Sequence, residues 1–446
     1  MPSLDGTAGN SRERGRALRV VVAGLVVMLG LARPCAAAVV ECASADVACL
    51  IAAINTANAN GGANTIRLQP GTYTLRAPDN DTDGANGLPS ITSPLTIVGA
   101  GAGNTIIERE ATAPEFRLLH VAQTGLLKLE GLTARGGRLG GQFFFGGGGL
   151  LNRGTAIISQ SALTDSADRE SGGGGGGGIA SFGRLVIAGS TISNNNSGGP
   201  GGGVFSRAGL TVVNSTISGN TGNVGGGLYI GEGMALIIGS TIADNLATDG
   251  NGGGLFSTSA AVAIINSTLA GNRTGVAGTG GGLAVSGGGG IIVNATIANN
   301  STLGGGDALF ASSALALYNT IVSGPPVLGE PACLGRATSL GNNLFTDPSC
   351  AVALLPDDLT GDPRLGDFTD DGTPGHGFLP LLRRSPAINA GDDARACRPI
   401  NEGDGELVRA ATSARSRAHI LSTRCGFCVP GAVATASPAT WVSASR

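Results

Sequence analysis

Carboxylates do much of the chemistry of carbohydrate-cleaving sites, and few of them lie in the centre of this sequence. Glycoside hydrolysis needs two carboxyl groups at a fixed separation, and β-elimination needs an acidic, calcium-holding cluster beside an arginine or lysine base. Between Arg153 and Gly324 the carboxylates are Asp165, Asp168, Glu170, Glu232, Asp244, Asp249 and Asp307. Asp244 shares its repeat position with Gly219 and Gly271, so no acidic ladder is expected.

The best local group is Asp165, Asp168 and Glu170 around Arg169. We expect a solvated loop there, with a cation or sugar site as the alternative. Calcium remains open as a bound ion, although no ligand motif supports it.

Other residues that do chemistry are sparse. No histidine lies between His120 and His376. Cys425-Gly-Phe-Cys428 has the spacing of a redox or zinc motif but stands alone, which makes it weak. No Gly-Lys-Ser/Thr follows the glycine runs, so they do not indicate a phosphate site. The sequence predicts no catalytic, cofactor-binding or metal-ligating residue.

The N-terminus has the organisation of a secretion signal. Arginines from Arg12 to Arg19 precede an uncharged apolar run over 20–32, and Ala36-Ala37-Ala38 offers a cleavage site. The run is shorter than the roughly 20 residues that span a bilayer. We therefore predict a signal peptide over 1–38, with no membrane-spanning segment after its removal. The location expected is extracellular or at the cell surface or outer membrane of a bacterium.

Seven cysteines remain after that cleavage, all outside the central repeats. An oxidising compartment favours disulfides over metal sites. Cys42–Cys49 and Cys333–Cys350 are the predicted local bridges, one at each end of the fold.

The composition points to a repeat architecture. The chain of 446 residues has 78 glycines, 13% charged residues and 4% aromatic residues, without a collagen period. Its net charge of −3 and its single lysine, Lys128, leave no basic stripe, so nucleic acid is not an expected partner.

A unit of 24–28 residues recurs through the centre of the chain. It contains Gly-Gly-apolar, a short apolar segment and Ser-Thr-Ile, as in the stretch from Gly226 to Ile242. Segments of 3–5 residues rich in Val, Ile and Thr favour strands, and only stacked units could bury them. We predict an all-β, right-handed parallel β-helix with three strands in each coil of about 25 residues.

An asparagine follows the central Ile of each unit by three residues. These residues are Asn195, Asn220, Asn245, Asn272 and Asn300. In-register stacking would turn them into a hydrogen-bonded ladder, and asparagine also tolerates a left-handed corner. A helix predicted over 46–59, ending at Gly61-Gly62, would cover the open end of the β-helix.

Three stretches resemble bacterial surface proteins. Ile217-Ser-Gly-Asn220 with Gly225-Gly-Gly-Leu228 is similar to polymorphic outer membrane protein repeats, with Ile replacing the aromatic residue. The stretch from Cys42 to Leu75 resembles CSLREA-type openings, but Ile51-Ala52 stand in place of Arg-Glu. Ser339–Leu344, Gly361–Gly366 and Ser385–Gly391 resemble a choice-of-anchor Q region. Gly375-His376-Gly377 resembles a polygalacturonase motif, although its neighbours match the anchor pattern. These resemblances imply an exported β-helix of the pectin lyase-like type.

The expected organisation is a signal peptide over 1–38, an N-terminal cap over 39–62, the β-helix over 63–325, an anchor-type cap over 326–392 and a divergent, disordered tail over 393–446. A frameshift is an open explanation of that tail. We expect a monomeric, non-catalytic adhesin or interaction scaffold whose partners are glycans or other surface proteins. The alternative is a polysaccharide lyase or glycoside hydrolase of the β-helix type.

Overall fold

The protein is described here by a computed structural model that covers residues 37–140, 145–169, 174–275, 278–324 and 331–391. The predicted signal peptide (1–38) lies outside these residues except for its last two positions. Glu170, the Cys425–Cys428 motif and the tail from residue 393 lie outside them entirely. They therefore stay predictions.

The chain winds into a right-handed parallel β-helix of about 11 turns, as the repeats predict. Equivalent strands of successive coils pair in parallel and form three sheets. The regular pairing of Leu185 with Leu210, and of Ile192 with Ile217, is typical of the register. Sheet 2 has 12 strands, so the rod is about 50 Å long at roughly 4.8 Å per coil.

Sheet 1 contains two columns of strands, which merge at the C-terminal end. The first column comprises Val39–Cys42, Asn64–Leu68, Pro94–Val98, Leu126–Glu130, Thr155–Ser159, Arg184–Ala188, Leu210–Val213, Met234–Ile238, Ala261–Ile265 and Gly290–Val293. The second column comprises Leu119–Val121, Leu150–Asn152, Ile179–Ser181, Val204–Ser206, Leu228–Ile230, Leu255–Ser257 and Leu283–Val285. The merged strands are Leu309–Tyr318 and Cys333–Ser339.

Sheets 2 and 3 complete each coil. Sheet 2 comprises Gly71–Leu75, Thr105–Arg109, Thr133–Arg135, Ala162–Thr164, Thr191–Ser193, Thr216–Ser218, Thr241–Ala243, Thr268–Ala270, Thr296–Ala298, Ile321–Val322, Leu344–Phe345 and Leu359–Thr360. Sheet 3 comprises Arg138–Leu139, Ala167–Asp168, Asn196–Ser197, Thr221–Gly222, Leu246–Ala247 and Arg273–Thr274.

A regular coil therefore has four short strands, one more than the three expected. Tight turns split the apolar part of sheet 1 into a three-residue strand and a longer one. Gly233, with a φ of +82°, occupies one such turn. The fourth strand, in sheet 3, has only two residues, which is too short to show as an apolar segment.

The core is a stack of aliphatic side chains from successive coils. The central residue of each Ser-Thr-Ile unit points inward, and Ile192, Ile217 and Ile242 are fully buried. Their alternation with outward Thr and Ser residues follows the two-residue period of a strand. The glycine run before each three-residue strand allows close approach of the backbones. A Cβ on Gly203 would lie 2.7 Å from the Gly227 carbonyl oxygen.

One helix, α1 (Val47–Asn60), covers the N-terminal end, close to the predicted bounds. Asp46 accepts a hydrogen bond from the Cys49 amide, and Gly61, with a φ of 66°, ends the helix. Leu50, Ile54 and Ala57 are buried. The predicted disulfide Cys42–Cys49 is present and ties the helix to the first strand.

The sheets continue past residue 325, into the region expected to form a separate cap. Cys333–Ser339 extends sheet 1, and Leu344–Phe345 and Leu359–Thr360 extend sheet 2. The second predicted disulfide, Cys333–Cys350, closes this end.

Residues 361–391, which we call the strap, turn back along the outer face of sheet 2. Leu379 packs with Phe368 against Ala270 and Ala298. Further on, Ala387 packs in a cluster with Ile321 and Leu344. In earlier coils that the strap does not reach, the equivalent outward positions of sheet 2 are polar, as at Thr164 and Ser193.

Candidate functional site

The described members of the acidic group around residue 165 have different surroundings. Asp165 lies in a left-handed corner and accepts a hydrogen bond from the Thr164 hydroxyl. Asp168 is 1% exposed, so the expectation of a solvated loop is wrong for this residue. Arg169 points elsewhere and pairs with Glu115 at 3.4 Å.

The Gly375-His376-Gly377 segment is a contact of the strap. The Gly375 amide donates to the Thr216 hydroxyl oxygen at 2.9 Å, and the Thr241 hydroxyl donates to the Gly377 carbonyl at 3.2 Å. His376 is exposed and lies 3.3 Å from the Asp371 carboxylate. Within the residues described, this segment therefore fixes the strap to two coils.

The five repeated asparagines form one continuous, buried ladder. Side-chain amides donate to the side-chain oxygen of the next asparagine at 3.0 Å from Asn195 to Asn220 and at 2.9 Å from Asn272 to Asn300. Each acceptor oxygen also receives a backbone amide of the preceding coil, as Asn245 does from Asn220. The ladder therefore satisfies polar groups that would otherwise be buried without partners.

The left-handed corner belongs to the residue before each ladder asparagine, which corrects the expectation drawn from the sequence. Asn194 and Asp244 have φ values of 57° and 54°. The ladder asparagines themselves are not left-handed, and their side chains do the bridging.

A serine ladder that the sequence reasoning missed runs parallel to the asparagines. The Ser190 amide donates to the Ser215 hydroxyl oxygen at 3.1 Å, and the Ser215 amide donates to Ser240 at 3.2 Å. The first residue of every Ser-Thr-Ile unit was its sequence signal. Both ladders hold the coils together. Their side chains are buried, so we look for a binding site on the outer surface.

The most distinctive outer surface follows the three-residue strands of sheet 1. Their central residues lie on the side of the sheet away from the main core and align in the order His120, Leu151, Ala180, Phe205, Tyr229, Phe256 and Ala284. Neighbouring side chains bury all of them except Tyr229 and Phe256, which are partly exposed. We call this column, with the adjoining Phe145, Phe182 and the turn that follows each strand, the outer stripe.

Five aromatic rings form a row along the outer stripe. The centroids of Phe145 and Phe182 lie 5.2 Å apart, and those of Phe182 and Phe205 lie 5.6 Å apart. Phe205 stacks on Tyr229 at 5.3 Å, and Tyr229 meets Phe256 edge-on at 5.8 Å. Phe205 is 5% exposed, while the other four rings are partly exposed.

A polar head closes the N-terminal end of the stripe. His120 lies 2.8 Å from the Ser90 hydroxyl through Nδ1 and 3.3 Å from the Asp83 carboxylate through Nε2. The same carboxylate pairs with Arg153 at 2.7 Å. Arg153 also lies over the ring of Phe145, 4.8 Å from its centroid, so the head joins the aromatic row directly.

Arg117 supports the polar head through hydrogen bonds from the buried side. It is fully buried and donates to the carbonyl of Asp83, to the side chain of Asn86 and to the carbonyl of Phe145 at 2.9–3.0 Å. Burial lowers the pKa of Arg117 to about 10. Burial also lowers the pKa of His120 to about 4, and Arg117 contributes to that shift. His120 is therefore neutral at neutral pH.

The aromatic row was not predicted, although the sequence contains a signal for it. Phe205, Tyr229 and Phe256 each directly follow a Gly-Gly-apolar landmark. The polar head had no such signal, because Asp83 and Ser90 lie in a loop outside the regular repeat.

Comparisons with known proteins show similarity in shape at low sequence identity. No family model matches the chain, and no curated protein matches it. The A-module of the Azotobacter vinelandii mannuronan C-5 epimerase AlgE6 is 15% identical, with a TM-score of 0.38 and coverage of 71% of this chain and 90% of that module. The AlgE4 A-module of the same organism is 17% identical, with a TM-score of 0.36 and coverage of 71% and 91%.

Two further findings concern the described residues alone. They contain no group of three or more His, Cys, Asp or Glu side chains arranged to hold a metal ion. Among them, no helix has the length and apolarity to cross a bilayer.

Proposed function

We propose that this protein is an extracellular or cell-surface β-helix that binds glycans through the outer stripe and acts in adhesion, without catalysis. The aromatic row carries this proposal. Aromatic side chains supply large contact areas at a low cost in conformational entropy, and the apolar faces of sugar rings pack on them.

The extent of the row over several coils suits a long ligand. The centroids of successive rings lie 5.2–5.8 Å apart, which is similar to the length of a sugar ring. The coils beneath are fixed by the asparagine and serine ladders, so the row needs no rearrangement to meet its ligand. Preorganisation of this kind improves affinity.

The same proposal includes the compartment in which the protein acts and the family to which it belongs. Two disulfides are compatible with an oxidising compartment. Membership of the polymorphic outer membrane protein, CSLREA and choice-of-anchor Q group, and export by the signal peptide, also remain part of what we propose.

The carbohydrate-active alternative would place its chemistry at the polar head. His120 is 1% exposed, and its two ring nitrogens face Ser90 and Asp83. The Asp83 carboxylate is held by Arg153. These contacts favour a head that anchors the loop carrying Asp83 and Ser90.

The test is a panel of polysaccharides incubated with the secreted full-length protein, scored both for binding and for released products. We expect binding that falls at least severalfold in the Tyr229→Leu and Phe256→Leu variants, because Leu keeps apolar bulk without the ring. Phe378→Leu, on the exposed strap (43% exposed), is the matched control and should bind normally. Release of unsaturated or reducing ends would establish the enzyme alternative, and binding unaffected by both stripe variants would overturn the proposal.

A further inference from the structure

The C-terminal end of the rod exposes a run of apolar residues. Residues 352–356, Val-Ala-Leu-Leu-Pro, are all exposed, and we call them the end patch. Val352 is 69% exposed, Leu354 40% and Leu355 39%. The other large hydrophobic side chains exposed in the described part of the chain stand singly in the sequence, which is ordinary for a protein surface. An unbroken run is not ordinary, and it indicates a binding surface.

The end patch is held in a defined shape. The second disulfide ties the residue two positions before it to the last strand of sheet 1. The Val352 amide donates to the Ala337 carbonyl at 2.9 Å, and the Leu355 amide donates to the Asp358 carboxylate at 2.7 Å. A surface that is already fixed loses little conformational entropy when a partner covers it.

The described part of the chain ends beside the end patch. Its last residues, Ala390 and Gly391, line a small cleft together with Asp357 and Leu359. Asp357 directly follows the end patch, so residues 392–446 begin next to it. A segment attached at such a short distance reaches the surface at an effective concentration in the range of about 1 mM.

The end of the rod and the segment that follows it carry opposite charges. All charged residues between positions 345 and 362 are acidic, namely Asp347, Asp357, Asp358 and Asp362. Residues 407–446 contain five arginines and no Asp or Glu. The arginines are Arg409, Arg415, Arg417, Arg424 and Arg446. The same stretch contains Phe427 and Trp441, so it offers both apolar bulk for the end patch and cations for the acidic residues around it.

We propose that residues 407–446 bind the end patch of their own chain. Apolar side chains of this segment cover Val352, Leu354 and Leu355, and its arginines pair with the exposed carboxylates of Asp357 and Asp362. Arginine suits this role because its planar fork donates two parallel hydrogen bonds to one carboxylate. The contact orders part of a stretch for which the sequence predicts disorder, and it does not depend on glycan binding.

A second copy of the chain would also offer an apolar surface, but the observations favour the attached segment. Two end patches would bring the same acidic residues to one contact, and like charges across an interface are unfavourable. Five residues on each side also bury much less than the roughly 1,000 Å² that a stable interface between separate molecules needs. The attached segment avoids most of that association cost.

The first experiment digests the secreted full-length protein with trypsin, which cuts after arginine and lysine, and follows cleavage within residues 407–446 by mass spectrometry. Leu354→Asp should be cut there at least about fivefold faster than the wild type, because cleavage tracks the population in which the segment is released. Leu126→Asp is the matched control, since it makes the same change at a site 37% exposed in sheet 1. It should be cut at the wild-type rate, and all three proteins should keep the same far-ultraviolet circular dichroism spectrum.

The second experiment labels exposed apolar side chains with a photochemical carbene reagent. In the wild type the end patch should be labelled severalfold less than Leu126, although Val352, Leu354 and Leu355 are at least as exposed in the described structure. Changing the arginines at 409, 415, 417 and 424 to Gln should raise the labelling of the end patch. Equal cleavage of the wild type and Leu354→Asp, or an end patch labelled as strongly as Leu126, would overturn the proposal. Protection of the end patch that grows with protein concentration, while residues 407–446 are cut rapidly, would overturn it in favour of a second copy.

Discussion

At the scale of single residues, close packing between coils makes some glycines necessary and leaves others replaceable by a larger residue. A Cβ on Gly203 would lie 2.7 Å from the Gly227 carbonyl oxygen and 2.9 Å from the Asn220 side-chain nitrogen. Nothing lies within 4 Å of a Cβ placed on Gly209, six residues later. The same residue type is thus a packing requirement at one position and a neutral turn residue at the other.

Gly203→Ala should destabilise the protein by about 1–3 kcal/mol, because backbone atoms of the next coil must move. Gly209→Ala should be neutral or stabilising by a few tenths of a kcal/mol up to about 1 kcal/mol, since it restricts the unfolded chain. Urea unfolding midpoints of the two variants measure the difference. Equal midpoints would show that the coils relax around the extra methyl group.

The buried histidine of the polar head makes stability depend on pH. Burial holds the pKa of folded His120 at about 4, well below the ordinary histidine value of 6.5. The unfolded chain therefore binds more protons between these values, and stability falls as the pH drops through this window. The loss from this residue is about 3 kcal/mol.

His120→Gln should remove that contribution. The stability of the variant should decline less than that of the wild type between a pH of about 7 and about 4, as measured by urea unfolding across the range. His376→Gln is the control, because that side chain is 60% exposed and should leave the pH profile unchanged. Parallel profiles for the wild type and His120→Gln would contradict the prediction.

At the scale of elements, the strap is held by few contacts for its length. Among the described residues, its hydrogen bonds to the coils are one at its start, from the Gly361 amide to the Phe345 carbonyl, and two at Gly375 and Gly377. A Cβ on Gly375 would lie 2.5 Å from the Gly239 carbonyl oxygen. Local opening is cheapest where few buried contacts resist it.

Gly375→Val should therefore detach the middle of the strap and leave the β-helix folded. We expect faster cleavage within residues 361–391 by a protease, with an unchanged far-ultraviolet circular dichroism spectrum. Leu382→Ala, at a site 47% exposed, should be cut at the wild-type rate. Loss of the β-sheet signal in Gly375→Val would show that the strap and the coils fold as one unit.

The elements also show how much of the structure could be predicted from the sequence. The strand period, the helix α1, both disulfides and the positions of the ladder asparagines follow from local spacing. The fourth strand escaped because two residues carry no periodicity. Asp168 was misjudged because its carboxylate lies buried beside glycines distant in sequence, such as Gly146, where a Cβ would lie 2.5 Å from it. The outer stripe depends on register between coils, which spacing alone indicates only at Phe205, Tyr229 and Phe256.

At the scale of the whole molecule, the two ends differ from the middle. Every inner coil has a partner on both sides, while an uncovered end coil would expose unpaired backbone groups and invite edge-to-edge association. Helix α1 covers the N-terminal end with Leu50 and Ile54, both fully buried. The cap therefore protects solubility as well as stability.

Ile54→Asp should uncover that end by placing a charge in the apolar contact. We expect concentration-dependent association, seen by light scattering under conditions where the wild type gives a constant mass. Ala52→Asp adds the same charge on the exposed face of the same helix and should not associate. A monomeric Ile54→Asp protein with intact secondary structure would show that α1 is dispensable as a cap.

The strap also limits the number of coils that can lie beneath it. Its length is fixed, and its contacts fall on a defined series of coils, from Thr216 and Thr241 through Ala270 and Ala298 to Ile321. A whole coil duplicated or deleted within that series would put every later contact out of step. The same change before Ser190 would leave them aligned. Evolution and protein engineering can therefore lengthen this rod by whole coils in its N-terminal half, while the C-terminal half is held to a set number of coils.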